Sequence, residues 1–131
     1  MPKPPLPDNV KALLAKPLPA VMASLKPDGS PLSVATWYIL EDDGRVLINM
    51  EDSRARLEHL RKDPRVSITA LDENWYTHVS LQGAIVEFAP DSDLKDIDRL
   101  STHYGGNPYP VRDKARTSAW IEIEHWHGWH V

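Results

Sequence analysis

The fold of this chain is decided by its central stretch, residues 29–68, which reads GSPLSVATWYILEDDGRVLINMEDSRARLEHLRKDPRVSI. Runs of β-branched and aromatic side chains predict strands over Pro31–Leu40, Val46–Met50 and Val66–Leu71. Between the last two strands, leucines three positions apart and a following Asp-Pro pair predict a short helix over Arg54–Lys62. Only a short acidic turn separates the first two strands, which favours antiparallel pairing.

The sequence before this stretch adds one helix and one strand. Residues 1–7 are rich in proline and predict an extended arm. A short helix is predicted over Val10–Lys16, capped by Asp8 or Asn9, and a strand over Ala20–Lys26. A Pro-Asp-Gly-Ser turn then leads into the central stretch, so these two strands also pair as neighbours.

The sequence after the central stretch predicts two long strands and one helix. The first strand covers Trp75–Ala89, with a bend at Gly83, and the second covers Ala119–Val131. An amphipathic helix lies between them over Asp93–Tyr104. The chain therefore predicts a mainly β domain over residues 1–131, with six antiparallel strands closed into a small barrel and two or three short helices.

Composition narrows the classes of function. The 131 residues carry 15 Lys plus Arg against 19 Asp plus Glu, a net charge of −4, which argues against a partner such as nucleic acid or an anionic membrane. The absence of cysteine excludes disulfides, thiolate metal sites and iron–sulfur clusters. No apolar run approaches the roughly 18 residues of a membrane span, and no secretory signal is evident. We therefore expect a cytoplasmic protein.

The most informative feature for function is the pair Arg54 and Arg56 at the start of the predicted helix, behind a cap at Asp52 or Ser53. The N-terminus of a helix is electropositive, so arginine there is unfavourable by about a few tenths of a kcal/mol per charge unless an anion is bound. Arginine also grips phosphate through two parallel hydrogen bonds. The pattern is compatible with a phosphate or carboxylate ligand, or with arginines that are solvated or pair with Asp52 or Glu58.

Further polar and aromatic side chains are candidates for the same site. Asn49 and Ser53 flank the arginine pair. The backbone groups of Thr36, Trp37 and Tyr38, and the hydroxyl groups of Thr36 and Tyr38, could hydrogen-bond the polar edge of a flavin-like ring. The side chains of Trp37 and Tyr38 could equally belong to the core or to an interface.

Three other features are weaker candidates. Lys62 could reach an acidic tail of a ligand or simply satisfy the helix dipole. Tyr76 and His78 share one face of a strand and could line a ring or substrate. His125 and His127 also share a face, but no carboxylate or cysteine completes a metal site, so we predict a structural or surface role and no metal. No side chain stands out as a catalytic acid or base.

The central stretch resembles the split-barrel flavin and deazaflavin oxidoreductases of the pyridoxamine-phosphate-oxidase-like superfamily. Three motifs carry the resemblance: the aromatic pair Trp37-Tyr38, the basic pair Arg54 and Arg56, and Leu60–Val66 (LRKDPRV), with His59 where the family usually has Asn. Residues 78–88 resemble the family's next strand, and the likeness continues weakly through residues 91–128.

This resemblance implies a homodimeric FMN-binding split barrel with two cofactor sites in the groove between the protomers. The cofactor phosphate would be held by Arg54 and Arg56, and the ring would lie against the second and third strands, partly covered by the partner chain. The short chain, the LRKDPRV motif and the GNPYP loop at 106–110 favour the branch that uses coenzyme F420, a deazaflavin. We therefore expect an F420-dependent oxidoreductase that transfers a hydride between this coenzyme and a small organic substrate.

Three alternatives remain open on the sequence. The same fold could bind FMN, because both cofactors present a phosphate and a tricyclic ring. The protein could instead store or carry a flavin, deazaflavin or haem without catalysis. It could also be a structural β-barrel dimer whose arginines are ordinary surface charges.

Overall fold

Seven strands and three α-helices make up the computed structural model, which describes residues 1–131. In chain order the elements are α1 (Asp8–Leu14), β1 (Ala20–Leu25), β2 (Pro31–Thr36), β3 (Ile39–Leu40), β4 (Val46–Glu51), α2 (Ala55–Lys62), β5 (Arg65–Leu71), β6 (His78–Pro90), α3 (Lys95–Gly105) and β7 (Arg116–Trp129). The predicted class, mainly β with antiparallel strands and short helices, is confirmed, and the predicted count of six strands is wrong.

All seven strands form one antiparallel sheet in the order β2-β1-β5-β6-β7-β4-β3. The two edge strands, β2 and β3, are consecutive in the chain and are joined only by Trp37 and Tyr38. Because so short a link spans only about 11 Å, the sheet has to curl until its edges approach each other. The sheet is therefore a barrel that is open along one line, and we call the gap between β2 and β3 the seam.

The seam interrupts the predicted strand Pro31–Leu40, which was expected to be continuous. The backbone N–H of Tyr38 donates to the hydroxyl of Tyr104 in α3 (3.2 Å). The Tyr38 side chain turns into the core and is only 1% exposed. A contact with a residue 66 positions away thus divides the strand in two, which explains the seventh strand.

The interior of the barrel holds a cluster of 22 buried hydrophobic residues from the strands and from α1 and α2. Strand β4 is buried on both faces over residues 46–50, because the barrel covers one face and α3 covers the other. A second cluster packs Leu94, Ile97 and Leu100 of the α3 region against Leu47. This packing fixes α3 beside β4, close to the seam.

Helix α2 begins without the cap predicted at Asp52 or Ser53. Arg54 is the N-cap residue and has extended backbone angles, and no side chain hydrogen-bonds the first turn. The Ser53 hydroxyl donates to Glu51 (3.3 Å), and Asp52 accepts a hydrogen bond from the Thr117 hydroxyl (2.6 Å). Both predicted caps are wrong because strand neighbours already use these side chains.

Other predicted boundaries shift by a few residues. Pro7 precedes α1 as its N-cap, so neither Asp8 nor Asn9 caps that helix. Strand β6 starts at His78 rather than at position 75, and β7 starts three residues earlier than predicted. The bend predicted at Gly83 coincides with a shift in the β6–β7 register. No helix has the length and apolar character needed to cross a membrane.

Candidate functional site

A cleft of about 550 Å³ opens at the seam, between the end of β2 and helix α3. We call it the seam cleft. The side chains that line it come from seven parts of the chain, so it exists only in the folded protein. They are Pro17, Pro19, Ala20, Ala35, Thr36, Trp37, Asn49, Arg56, Ile97, Leu100, Tyr104, Tyr109 and Arg116.

A second cavity of about 390 Å³ adjoins the seam cleft and shares part of its lining. The shared residues include Asn49, Arg56 and Arg116, and the second cavity adds Arg54. Three guanidinium groups therefore surround the junction of the two cavities. We call this junction the basic end of the cleft.

Aromatic side chains form one wall of the seam cleft. The Trp37 ring stacks on Tyr104, with centroids 5.3 Å apart and planes 18° apart, and meets the Tyr109 ring edge-on at 6.1 Å. The Tyr104 hydroxyl donates to the carbonyl of Leu18 (2.7 Å) and accepts from Tyr38, and its burial raises the pKa of Tyr104 to about 12. Tyr104 is thus a fixed neutral support, whereas no protein group hydrogen-bonds the Tyr109 hydroxyl.

The arginines at the basic end lack close carboxylate partners. The Nε atom of Arg56 is buried without a hydrogen-bond partner. Burial, and then the nearby charge of Arg54, lower the pKa of the Arg56 guanidinium. The nearest carboxylate oxygen to Arg116 belongs to Glu51, at 3.8 Å, and Arg54 forms no ion pair at all. A half-buried cluster of positive charge with so little compensation is typical of a site for an anion.

Arginines elsewhere in the chain are mostly paired, which makes the basic end exceptional. Arg45, Arg65 and Arg112 each lie 2.7 Å from a carboxylate oxygen, and Arg99 lies 2.5 Å from Glu41. Arg61 instead stacks on an aromatic ring. The open alternative that the arginine pair is bound to Asp52 or Glu58 has no support, because neither carboxylate forms an ion pair with Arg54 or Arg56.

Half of the predicted site residues meet at this cleft. Thr36 and Trp37 form its β2 side, and Asn49, Arg54 and Arg56 form its basic end. The Thr36 hydroxyl donates to the carbonyl of Trp37 (3.0 Å) and so stabilises the turn at the seam.

The other predicted residues lie outside both cavities. Tyr38 is part of the core, and burial raises the pKa of its hydroxyl. Ser53 is exposed, and Lys62 is exposed in the last turn of α2. Tyr76, 57% exposed, and His78 lie at the turn into β6, and neither lines the seam cleft or the second cavity.

Three aromatic or charged residues of the cleft were not predicted from the sequence: Tyr104, Tyr109 and Arg116. The GNPYP loop was noticed, but nothing in its spacing indicated that Tyr109 turns toward a tryptophan. Arg116 is 67 residues from Asn49, with which it hydrogen-bonds, so no local pattern links them. The tail histidines lie outside the cleft lining, and no group of three or more His, Asp or Glu side chains is arranged to hold a metal ion.

Comparison with known proteins identifies the family of the chain. The model of the pyridoxamine 5'-phosphate oxidase family (PNPOx_N) matches residues 6–130, nearly the whole chain. The chain belongs to this family. The resemblance drawn from the central stretch, to the pyridoxamine-phosphate-oxidase-like split-barrel superfamily, is therefore confirmed.

Several solved structures of other proteins share the fold. One described as an F420 reductase is 23% identical, with a TM-score of 0.84, and the match covers 93% of this chain and 98% of that one. A conserved hypothetical protein, Rv2991 from Mycobacterium tuberculosis, is also 23% identical, with a TM-score of 0.76 and coverage of 97% and 86%.

A further structural match is a putative pyridoxamine 5'-phosphate oxidase from Listeria innocua. It is 15% identical, with a TM-score of 0.69 and coverage of 92% of this chain and 95% of that one. No curated protein matches the sequence. The likeness to solved structures, at these identities, establishes the architecture around the seam cleft.

Proposed function

We propose that the protein is an F420-dependent oxidoreductase that binds the deazaflavin coenzyme in the seam cleft. The observation that supports this most is the pairing of an aromatic wall with an uncompensated basic end in one continuous cleft. A flat ring system that carries a phosphate matches both halves, since aromatic faces favour stacking and guanidinium groups bind phosphate.

The residues of the basic end would hold the phosphate of the coenzyme. The buried Nε of Arg56 is a donor without an acceptor, and an anionic oxygen would satisfy it. Arg54 is exposed at the mouth of the smaller cavity, where it adds charge and attracts the ligand. The anion site predicted at the start of α2 remains our proposal, although neither Asp52 nor Ser53 caps this helix.

The aromatic wall would orient the ring of the coenzyme. Trp37 is 38% exposed although it is supported from behind by Tyr104, so it offers apolar surface to a ligand at little entropic cost. When bound, the reduced coenzyme supplies a hydride to a small organic substrate; the chain supplies binding, orientation and exclusion of water. The preference for F420 over FMN is supported by the resemblance of the central stretch and by the likeness to the F420 reductase.

We also propose that the active form is a cytoplasmic homodimer in which a second copy covers the seam cleft. Val21, 42% exposed, lies directly opposite Ala35, and Trp37 follows on the same face of the sheet, so an apolar strip borders the open side of the cleft. Tyr76 and His78 do not line the cleft of their own chain, and in the proposed dimer they line the cleft of the other copy.

A titration with two cofactors tests the proposed function. Purified protein is mixed with F420 and, separately, with FMN, and binding is followed by the absorbance and fluorescence of each ring. We expect tight binding of F420 and its oxidation or reduction in the presence of a substrate. Tight binding of FMN alone would transfer the proposal to an FMN-dependent oxidoreductase, and tight binding without turnover on any electron acceptor would indicate a carrier.

The dimer is tested with two variants that damage opposite sides of the shared site. Arg56→Met removes one of the three guanidinium groups of the basic end, and Tyr76→Ala removes the covering side chain. Each homodimer should bind the cofactor weakly, whereas mixed dimers formed by refolding both chains together should regain one intact site in each dimer. A monomer in analytical ultracentrifugation, or no recovery of binding on mixing, would contradict the proposal.

A further inference from the structure

We infer that Arg116 is an additional ligand for the phosphate and that Asn49 is the residue that positions it. This inference rests on the proposed binding of a phosphate-bearing ring in the seam cleft. Both residues lie at the basic end. Arg116 was not predicted from the sequence, whereas Asn49 was a candidate for contact with the cofactor.

Asn49 is committed to protein partners and has little capacity left for a ligand. It is 8% exposed. Its Nδ2 group donates to a carboxylate oxygen of Asp91 (3.0 Å) and to the hydroxyl of Ser118 (3.1 Å), and its Oδ1 accepts from Nε of Arg116 (2.7 Å). Both amide hydrogens are therefore used, and the carbonyl oxygen faces an arginine.

Asp91 determines which way the Asn49 amide points. This carboxylate is 2% exposed and accepts the backbone N–H groups of Asp96 (3.1 Å) and Ile97 (2.9 Å) at the start of α3. An ionised carboxylate can only accept hydrogen bonds, so the amide nitrogen of Asn49 must face it. The amide oxygen is then forced toward Arg116. A buried charge thus fixes the amide, and the amide fixes the arginine.

Arg116 is held at one nitrogen and leaves the rest of its guanidinium for a ligand. Its side chain is 9% exposed and its guanidinium lies 5.0 Å from the centre of the Tyr109 ring. Its Nε donates a short hydrogen bond to Asn49, whereas its Nη1 lies 3.8 Å from the nearest oxygen of Glu51, which is too far for a hydrogen bond. The side chain lines both cavities together with Arg56, so two guanidinium groups from different elements converge on one volume.

This arrangement differs from an ordinary ion pair in its effect on the charge of Arg116. A direct bond to Asp91 would neutralise Arg116 and would direct it away from the cleft. With a neutral amide between the two groups, the arginine keeps its net charge and its fork for a phosphate. The same carboxylate also caps α3, the helix that supplies Tyr104 to the aromatic wall, so one buried group supports both halves of the cleft.

The test compares ligands that differ only in the phosphate. Dissociation constants of FMN and riboflavin are measured for the wild type, Arg116→Met, Arg116→Lys and Asn49→Ala, with Arg65→Met as the control for loss of an arginine outside the seam cleft. Arg116→Met should weaken FMN by about 10- to 100-fold and leave riboflavin within about twofold. Arg116→Lys should recover part of the loss, and Asn49→Ala should also weaken FMN more than riboflavin, because Arg116 loses the oxygen that holds its Nε.

Each outcome decides between a ligand role and a merely structural role. Equal weakening of FMN and riboflavin, or an unchanged FMN constant in Arg116→Met, would overturn the inference. If the wild type binds neither FMN nor riboflavin, these rings cannot report on the phosphate, and inorganic pyrophosphate becomes the probe; the proposed function is decided separately by the F420 titration. The inference then requires that pyrophosphate raises the melting temperature of the wild type and of Arg65→Met but not of Arg116→Met.

Discussion

Replacing Arg56 with methionine should make the ligand-free protein more stable and the ligand-bound protein less stable. In the free protein the Arg56 guanidinium is half-buried beside Arg54, and its Nε has no partner. A buried polar group without a partner costs about 1–3 kcal/mol, and partial solvation of this side chain places the cost near the lower end. Arg56→Met should therefore gain about 1 kcal/mol, or roughly 3–5 °C in melting temperature for a domain of this size.

Ligand binding should reverse this order. At a concentration 100 times its dissociation constant, a cofactor stabilises the wild type by about 2.7 kcal/mol. Loss of one charge-assisted hydrogen bond, about 2 kcal/mol, weakens binding roughly 30-fold, so the same concentration stabilises Arg56→Met by only about 0.8 kcal/mol. The variant then ends about 1 kcal/mol below the wild type.

Thermal melts with and without the cofactor check both halves of this prediction. The measurement uses F420 or FMN, whichever the titration shows to bind, over a range of concentrations. Arg65→Met is the matched control, because Arg65 is an exposed arginine paired with Asp63 outside the cleft. The ligand should raise the melting temperatures of Arg65→Met and of the wild type by the same amount. A variant that is less stable than the wild type without ligand, or that shows the same ligand-induced shift, would refute the reasoning.

Three further predictions concern the elements around the cleft. Tyr104→Phe should lower the melting temperature, at a cost of about 1–3 kcal/mol, because two backbone groups lose their hydroxyl partner, whereas Tyr109→Phe should not change it. Gly83→Ala should cost about 3 kcal/mol or more in a denaturant titration, because its Cβ would overlap a carbonyl of β7, while Gly105→Ala meets open space and should be neutral or stabilising. Asp98→Asn should increase amide exchange in the GNPYP loop at pH 7, and its difference from the wild type should shrink as the pH falls through the lowered pKa of Asp98, where the wild-type carboxyl becomes protonated.

The pH range of the last prediction follows from the hydrogen bonds of Asp98. The side-chain hydrogen bond from Arg112 is the main cause that lowers the pKa of Asp98, and the backbone N–H of Tyr109 adds to it. A carboxyl with a lowered pKa in the folded state stabilises that state above its unfolded pKa and loses this contribution as the pH falls through the folded value. Wild type and variant should therefore differ at neutral pH and converge in acid.

Much of the architecture could be predicted because it depends on local patterns. The hairpins follow from strand-forming runs that are separated by turn residues, and α2 and α3 follow from apolar spacing that ends at Pro64 and at the glycines 105–106. The arginine pair was recognisable because it contradicts the usual charge pattern of a first helical turn. In each case the physical cause lies within about ten residues of its effect.

The features that could not be predicted depend on distant partners. The break between β2 and β3 is caused by the hydroxyl of Tyr104, and Arg116 is directed by Asn49 from another strand. Strand propensity alone predicts one continuous strand over residues 31–40. The local composition does not show where that strand ends, because its end depends on a hydrogen bond to a residue that is distant in the sequence. The contact between Asn49, a candidate site residue, and Asp91 was not predictable for the same reason.

The seam has a consequence for how such a fold can diversify. Two facing walls of the cleft belong to an edge strand and a helix that share no backbone ladder, so their separation can change without breaking a hydrogen bond between strands. A wider or narrower guest needs only new side chains at the two-residue link and along one helical face. The pairing of the strands stays as it is when the width of the cleft changes in this way.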